Sequence, residues 1–354
     1  MRQLAVTGLL AVALFGCSDG SPTETTVGTR TYLMGFAGIP PRLDIAVLLQ
    51  SIDLWSQRAE LAIVHEELPW VDLLAGVSPD TIVRREKQEL VNYYRGKGLK
   101  LVFIADPTDG LARDKDAFHL RLAGRSMTEP AVQRLYRDYV SAFVRILHPE
   151  YVGLAAETNL VRATAPPALY QAVVQVANDA ASDVRAIAPT VPLLVSVQVD
   201  VAWGKLTASG AYEGIAADLR DFPFVGLVGL SSYPYFAFSD PDQIPADYYS
   251  RLVSGTTLPV MVTEGGWASA SGGGFTSTPA KQARYLAKHA QLLDRAGAIG
   301  YLQLTFTDID PSEFGDGDPG GILPLFASLG LVDVNLVPKP ALAVWDSLYG
   351  LRRR

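Results

Sequence analysis

The sequence predicts one (β/α)8 barrel behind an N-terminal export segment. Three observations carry that expectation. From Thr31 onward, short β-rich apolar runs alternate eight times with longer segments of helical period. Several of the short runs, such as Leu99–Ala105 and Leu258–Thr263, are apolar almost throughout, as strands covered on both faces must be. No GxGxxG turn, Walker A loop or repeat of roughly 20–50 residues is present, which leaves a doubly wound open sheet as the runner-up. The 354 residues are 49% hydrophobic and 19% charged, enough apolar material for a large core and too little charge for a disordered tail protein. Net charge is −7 and no basic run precedes Arg352–Arg354, so no nucleic-acid partner is expected.

The elements follow in order. After Arg2, the mostly apolar run Leu4–Phe15 has the length of a signal-peptide core and is too short to span a bilayer. It ends at Gly16-Cys17, followed by a stretch rich in Ser, Thr and Gly. This resembles a bacterial lipoprotein signal. It implies a signal peptide over residues 1–16, a lipid on Cys17, the lone cysteine, and a flexible tether over 17–31. Ordinary secretion with a free Cys17 is the alternative. Ser18 after the lipidated position favours the outer membrane if the envelope is Gram-negative. The barrel is assigned to 32–350, with strands at 32–37, 60–65, 99–105, 151–156, 192–199, 225–231, 258–263 and 298–305. Helices are expected near 43–57, 80–97, 129–147, 167–188, 211–220, 245–254, 279–296 and 339–349. Residues 129–147 space Val132, Tyr136, Tyr139, Val140, Phe143 and Leu147 by three and four, and Thr278-Pro279 is a helix start.

In such a barrel, function lies where strands end at their C-terminal side. The second ends in His65-Glu66-Glu67 and runs to Trp70; the third ends at Asp106. The fourth reaches Glu157 and Asn159, the fifth Asp200 and Trp203, and the sixth Ser231–Tyr235. The seventh gives Glu264-Gly265-Gly266-Trp267, and the eighth Phe306-Thr307-Asp308. Carboxylates after strands four and seven suit glycosidic cleavage, which takes one group to protonate the leaving oxygen and one to attack or to activate water. Trp70, Trp203 and Trp267 would offer broad faces to a sugar ring, or would pack as lids on the rim. Trp55 and Trp345 fall within helices and read as core.

The layout is similar to clan A of the glycoside hydrolases, retaining barrel enzymes that carry the acid/base on strand four and the nucleophile on strand seven. Val262–Trp267 resembles that clan's nucleophile strand, and Ser231–Tyr235 the strand-six segment of its endo-β-1,4-galactanases. The resemblance implies Glu157 as acid/base, Glu264 as nucleophile, and Tyr233 orienting Glu264, with Tyr235 in that place if the register differs by two. His65, Trp70, Trp203, Trp267, Asn159 and Asp308 join them as expected sugar contacts. Two departures stand out: Ala156 occupies the position of the clan's Asn before the acid/base, and the clan's strand-eight Trp is absent. If a fourth strand continued through Asn159, that amide would share a face with Glu157 and could replace the missing one.

The expected function is therefore retaining hydrolysis of a β-linked poly- or oligosaccharide. The alternatives are a non-catalytic carbohydrate-binding lipoprotein on the same barrel and a barrel enzyme of other chemistry, such as a lyase. No cofactor or metal is expected: His65-Glu66-Glu67 lacks the second His of a zinc helix, and the acids Asp308–Asp318 depart from an EF-hand spacing. A monomer at the cell envelope, held by lipid, completes the expectation.

Overall fold

The computed structural model describes residues 28–207, 210–313 and 321–354. The leader, Cys17 and most of the tether lie outside the described residues, as do Asp316 and Asp318. Eight parallel strands close into a barrel in chain order. They are β1 Leu33–Ala37, β2 Leu61–Glu67, β3 Lys100–Asp106 and β4 Tyr151–Gly153, then β5 Leu193–Gln198, β6 Leu227–Ser232, β7 Val260–Gly265 and β8 Gly300–Gln303. The barrel shuts where β8 pairs with β1, Gly300 opposite Leu33 and Gln303 opposite Phe36.

Around it lie α1 Ile45–Trp55, α2 Pro79–Glu86, α3 Gln88–Gly96 and α4 Pro130–Leu147, followed by α5 Pro167–Ile187, α6 Ala216–Asp221, α7 Pro279–Ala296 and α8 Pro340–Tyr349. Their starts carry the expected chemistry. Asp44 accepts from the amides of Ala46 and Val47, and Thr278 from that of Lys281. Two helices differ from expectation. The helix expected over 211–220 forms only from Ala216, after Gly214 turns the chain at φ +67°. The one expected over 245–254 is a succession of tight turns closed mainly by i→i+3 bonds, such as Leu252 to Tyr249. There the chain sends the neighbouring Tyr248 and Tyr249 into the core together, where they bond Asp200 and Ser232.

The tether boundary also moves. Thr29–Arg30 pairs in parallel with Arg352–Arg353, and buried Arg30 holds Glu60 at 2.8 Å, so residues 29–31 belong to the barrel body. Among the described residues no helix is long and apolar enough to cross a membrane.

Two apolar clusters follow from strand alternation. Leu61, Ile63, Val102, Ile104, Leu194, Leu227, Met261 and Leu302 fill the barrel interior, while the opposite strand faces pack beneath the helices. Trp55 and Trp345 are fully buried in the outer cluster, and Phe36 lies 4.4 Å from Trp345 by ring centroids.

Candidate active site

The same alternation that fills the interior builds a polar layer at its top. Leu61 and Ile63 point inward, and two residues on so does His65; Val102 and Ile104 lead to Asp106; Leu194 and Ser196 lead to Gln198. Strand β7 breaks the rule. Met261 faces the interior, so strict alternation would turn Thr263 in and Glu264 out. The register against β6 shifts between Val262 and Glu264, leaving Glu264 opposite Ser231. This one-residue bulge brings Glu264 to the inner face. Gly265 follows because a Cβ there would meet the Ser232 carbonyl oxygen at 2.4 Å.

Glu157 arrives differently. Strand β4 ends at Gly153, and Glu157 has left-handed backbone angles, φ +47° and ψ +45°, at the start of a short helix, Thr158–Thr164. Its amide donates to Ser196 Oγ at 2.9 Å. An ordinary side chain in this conformation is held by its surroundings at some energetic cost, a feature that clusters at functional sites.

These residues meet in a cleft of about 900 Å3 at the barrel mouth, lined by His65, Asp106, Arg113, Glu157, Gln198, Tyr233 and Glu264 among others. Arg113 stands on a hairpin of Thr108–Asp109 and Ala112–Asp116, whose turn Asp109 closes by accepting from the amides of Leu111 and Ala112. Its Nε donates to Glu157 Oε2 at 2.8 Å and its Nη1 donates to Asp106 Oδ2. Ser231 donates to the other Glu157 oxygen at 2.6 Å. His65 joins the remaining pair, Nδ1 at 3.2 Å from Glu264 Oε2 and Nε2 at 3.3 Å from Asp106 Oδ2.

This network drives the two glutamates apart electrostatically. Burial pushes Glu157 up; the nearby Arg113 pulls it back, the Glu264 charge pushes it up again, and the balance stays above the usual carboxylate range. Burial also pushes Glu264 up, but the His65 hydrogen bond and charge, with Arg113 behind them, outweigh it and hold Glu264 low. Burial alone would lower His65, yet Asp106 and Glu264 raise it to about 9, so it is an imidazolium at neutral pH. Asp106 resists its own burial because Arg113 and His65 hold it well below the usual range. The two buried glutamates are thus shifted in opposite directions, Glu157 upward and Glu264 downward.

The structure brings together Glu157, Glu264, His65 and Tyr233, and places the other expected contacts elsewhere. Asn159 is not on a strand. It lies in the first turn of the helix after Glu157, where Nδ2 donates to the Gln198 carbonyl and Oδ1 accepts from the Gln198 amide, both at 2.8 Å. Tyr235 turns into the core and donates to the Leu325 carbonyl at 3.0 Å. Trp267 is 1% exposed and donates to Ser277 Oγ, so it packs under the site and offers no face to a ligand. Trp70 is buried in the core as well. Trp203 donates to the Tyr248 carbonyl and stacks on that ring at 5.6 Å, outside the cleft. Asp308 is ion-paired with Lys339 and accepts from the Gly330 amide, tying down the segment after β8. Among the described residues, then, no tryptophan lines the cleft.

Three participants escaped the sequence reading. Asp106 had a signal, its place at the end of β3. Ser231 lies within the strand-six motif Ser231–Tyr235, which gives it no role of its own. Arg113 sits in the polar run Ala112–Asp116, where no period or motif marks it.

No protein-family model matches the chain, and no curated protein matches it. Solved structures do. An exo-β-1,4-mannosidase from Opitutaceae bacterium strain TAV5 superposes with a TM-score of 0.64 at 16% identity, over 92% of this chain and 60% of that one. Xylanase 10B from Thermotoga maritima gives 0.60 at 14% identity, over 90% and 95%. The GH53 catalytic domain of Ignisphaera aggregans gives 0.56 at 15% identity, over 91% and 92%. The chain therefore spans three fifths of the mannosidase and nearly all of the other two. The (β/α)8 barrel is the fold it shares with these clan A glycoside hydrolase barrels.

Proposed function

We propose that the protein is a retaining β-glycoside hydrolase with Glu157 as acid/base and Glu264 as nucleophile. The observation that carries this reading is the opposed setting of two buried glutamates sharing one cleft, a raised acid beside a lowered base. Retention requires the carboxyl groups about 5–5.5 Å apart, and the chain of contacts from Glu264 through His65, Asp106 and Arg113 to Glu157 supports two carboxyls facing one small space. In the first step the Glu264 carboxylate bonds to the anomeric carbon as the glycosidic oxygen departs with the Glu157 proton. In the second, water gives its proton to Glu157 and its oxygen to that carbon, releasing Glu264 as carboxylate. The sum is one glycoside and one water giving one free sugar, a hemiacetal, and one alcohol, with the enzyme restored. His65 stabilises the charged nucleophile before attack, and Tyr233, whose phenol is pushed up by burial and by both glutamates, keeps its proton for donation.

A second reading, a carbohydrate-binding barrel without turnover, draws on Arg113 and Ser231 occupying both Glu157 oxygens and on Ala156. The deciding experiment is turnover of activated aryl β-glycosides. Glu264→Ala should abolish it, while Glu157→Ala should regain it with added azide as a β-glycosyl azide. Wild-type protein that binds sugars but releases none would transfer the conclusion to the binding reading.

We also propose that Cys17 carries a lipid that anchors the barrel to the bacterial cell envelope. The Gly16-Cys17 junction after a short apolar run supports this.

A further inference from the structure

Most of the polar residues that line the cleft cluster at the strand ends, its floor, with the exposed Asp114 and Thr164 adding polar groups farther out. Several are already committed within the protein: Asp106 to Arg113 and His65, Glu66 to Tyr139 and Lys87, and Glu67 to the amides of Phe118 and His119. Beyond the strand ends the lining is mostly hydrocarbon. Leu111, Leu160 and Leu206 come from the connections after β3, β4 and β5, and Phe236, Ile309 and Phe326 from those after β6 and β8. Phe236 and Phe326 form a continuous patch with Tyr233, ring centroids 5.7 and 5.0 Å apart. Leu206 is 43% exposed, and Leu111, Leu160, Phe236 and Phe326 are half-buried, so this apolar surface is open to the cleft.

An oligosaccharide seated there would set most of its hydroxyls against leucine, isoleucine and phenylalanine, with few partners to replace the water lost. An aliphatic chain would do the reverse, removing apolar surface from water on both sides. A cleft of about 900 Å3 is near the top of the roughly 300–1,000 Å3 range of small-molecule sites, so a sugar on the floor leaves room for a chain above it. Resting on the hydrolase reading for the floor, we propose that the leaving-group side of this site takes an aliphatic aglycone, and that the substrate is an alkyl-chain β-glycoside of glycolipid type.

The test uses the full-length exported protein and n-alkyl β-glucosides, β-galactosides and β-mannosides from methyl to octyl, each below its micelle concentration. Binding is read by calorimetry and cleavage by release of free sugar. In at least one sugar series Kd should fall with chain length, by up to about fourfold per fully buried methylene. Leu206→Ser and Phe236→Ser should flatten that slope while circular dichroism and Tm show the fold intact. Cleavage with no dependence on chain length would overturn the aglycone proposal and leave the hydrolase reading standing. Chain-length-dependent binding without sugar release would do the opposite. Tighter binding of xylo- or manno-oligosaccharides than of every alkyl glycoside would also overturn it.

Discussion

The guanidinium of Arg113 donates through Nε to Glu157 Oε2 at 2.8 Å, so the residue proposed to supply a proton is also held by a cation. The same cation neutralises Asp106, and both Arg113 and Asp106 are buried. Arg113→Gln should therefore act in two ways. Losing the positive charge lets Glu157 hold its proton to higher pH, moving the alkaline limb of the kcat/KM profile upward. It also leaves the buried Asp106 charge with one partner fewer, which should destabilise the fold by about 3 kcal/mol, readable by denaturant titration. An unshifted alkaline limb would mean that Arg113 does not govern Glu157.

His65 sets the second expectation. Its pKa in the fold, about 9, stands above the ordinary 6.5. Its stabilising contribution is complete below pH 6.5, fades as pH climbs, and is gone above about 9. His65→Gln should lower Tm most below pH 6.5, with the gap to wild type closing toward pH 9–10. The variant also frees Glu264 from its cation, so the acidic limb of kcat/KM should move to higher pH. A Tm gap constant from pH 6 to 10 would contradict this.

Trp267 has the chemistry of a sugar platform and the burial of a core residue. Trp267→Ala should cost roughly 3–5 kcal/mol of stability, a loss typical of truncating a buried aromatic. A variant as stable as wild type with weakened ligand binding would restore the platform role.

Asn159 makes a comparable case. Asn159→Ala strips partners from both backbone groups of Gln198, one of the residues lining the cleft, and should cost about 1–3 kcal/mol. Asn159→Asp, which keeps the acceptor and loses the donor, should fall between. Full wild-type stability in the alanine variant would show that the clamp is dispensable.

For the envelope, Cys17→Ser should move the protein from the membrane fraction to the soluble exported fraction or leave it unprocessed. Wild-type protein recovered free with an unmodified amino terminus would end the lipid-anchor proposal.

Strand order and the place of each strand were readable from sequence because a barrel strand is a local object. A few apolar residues between turn signals suffice to define Leu101–Ala105 or Leu227–Leu230, and strict alternation in chain order leaves few ways to close them. The strand-end position of Glu264 was readable for the same reason. Its orientation was not. Period-two alternation from Met261 would face it outward, and only the bulge against Ser231 turns it inward, a choice set by pairing between β7 and β6. Arg113 was invisible because its two partners, Asp106 and Glu157, are supplied by other parts of the chain once the barrel has closed. The tryptophans show the limit from the other side. Sequence placed Trp70, Trp203 and Trp267 on the correct loops, but whether a loop ring faces solvent or core depends on the volume left beneath it. Here that volume was filled inward, leaving leucine, isoleucine and phenylalanine to form the walls of the site.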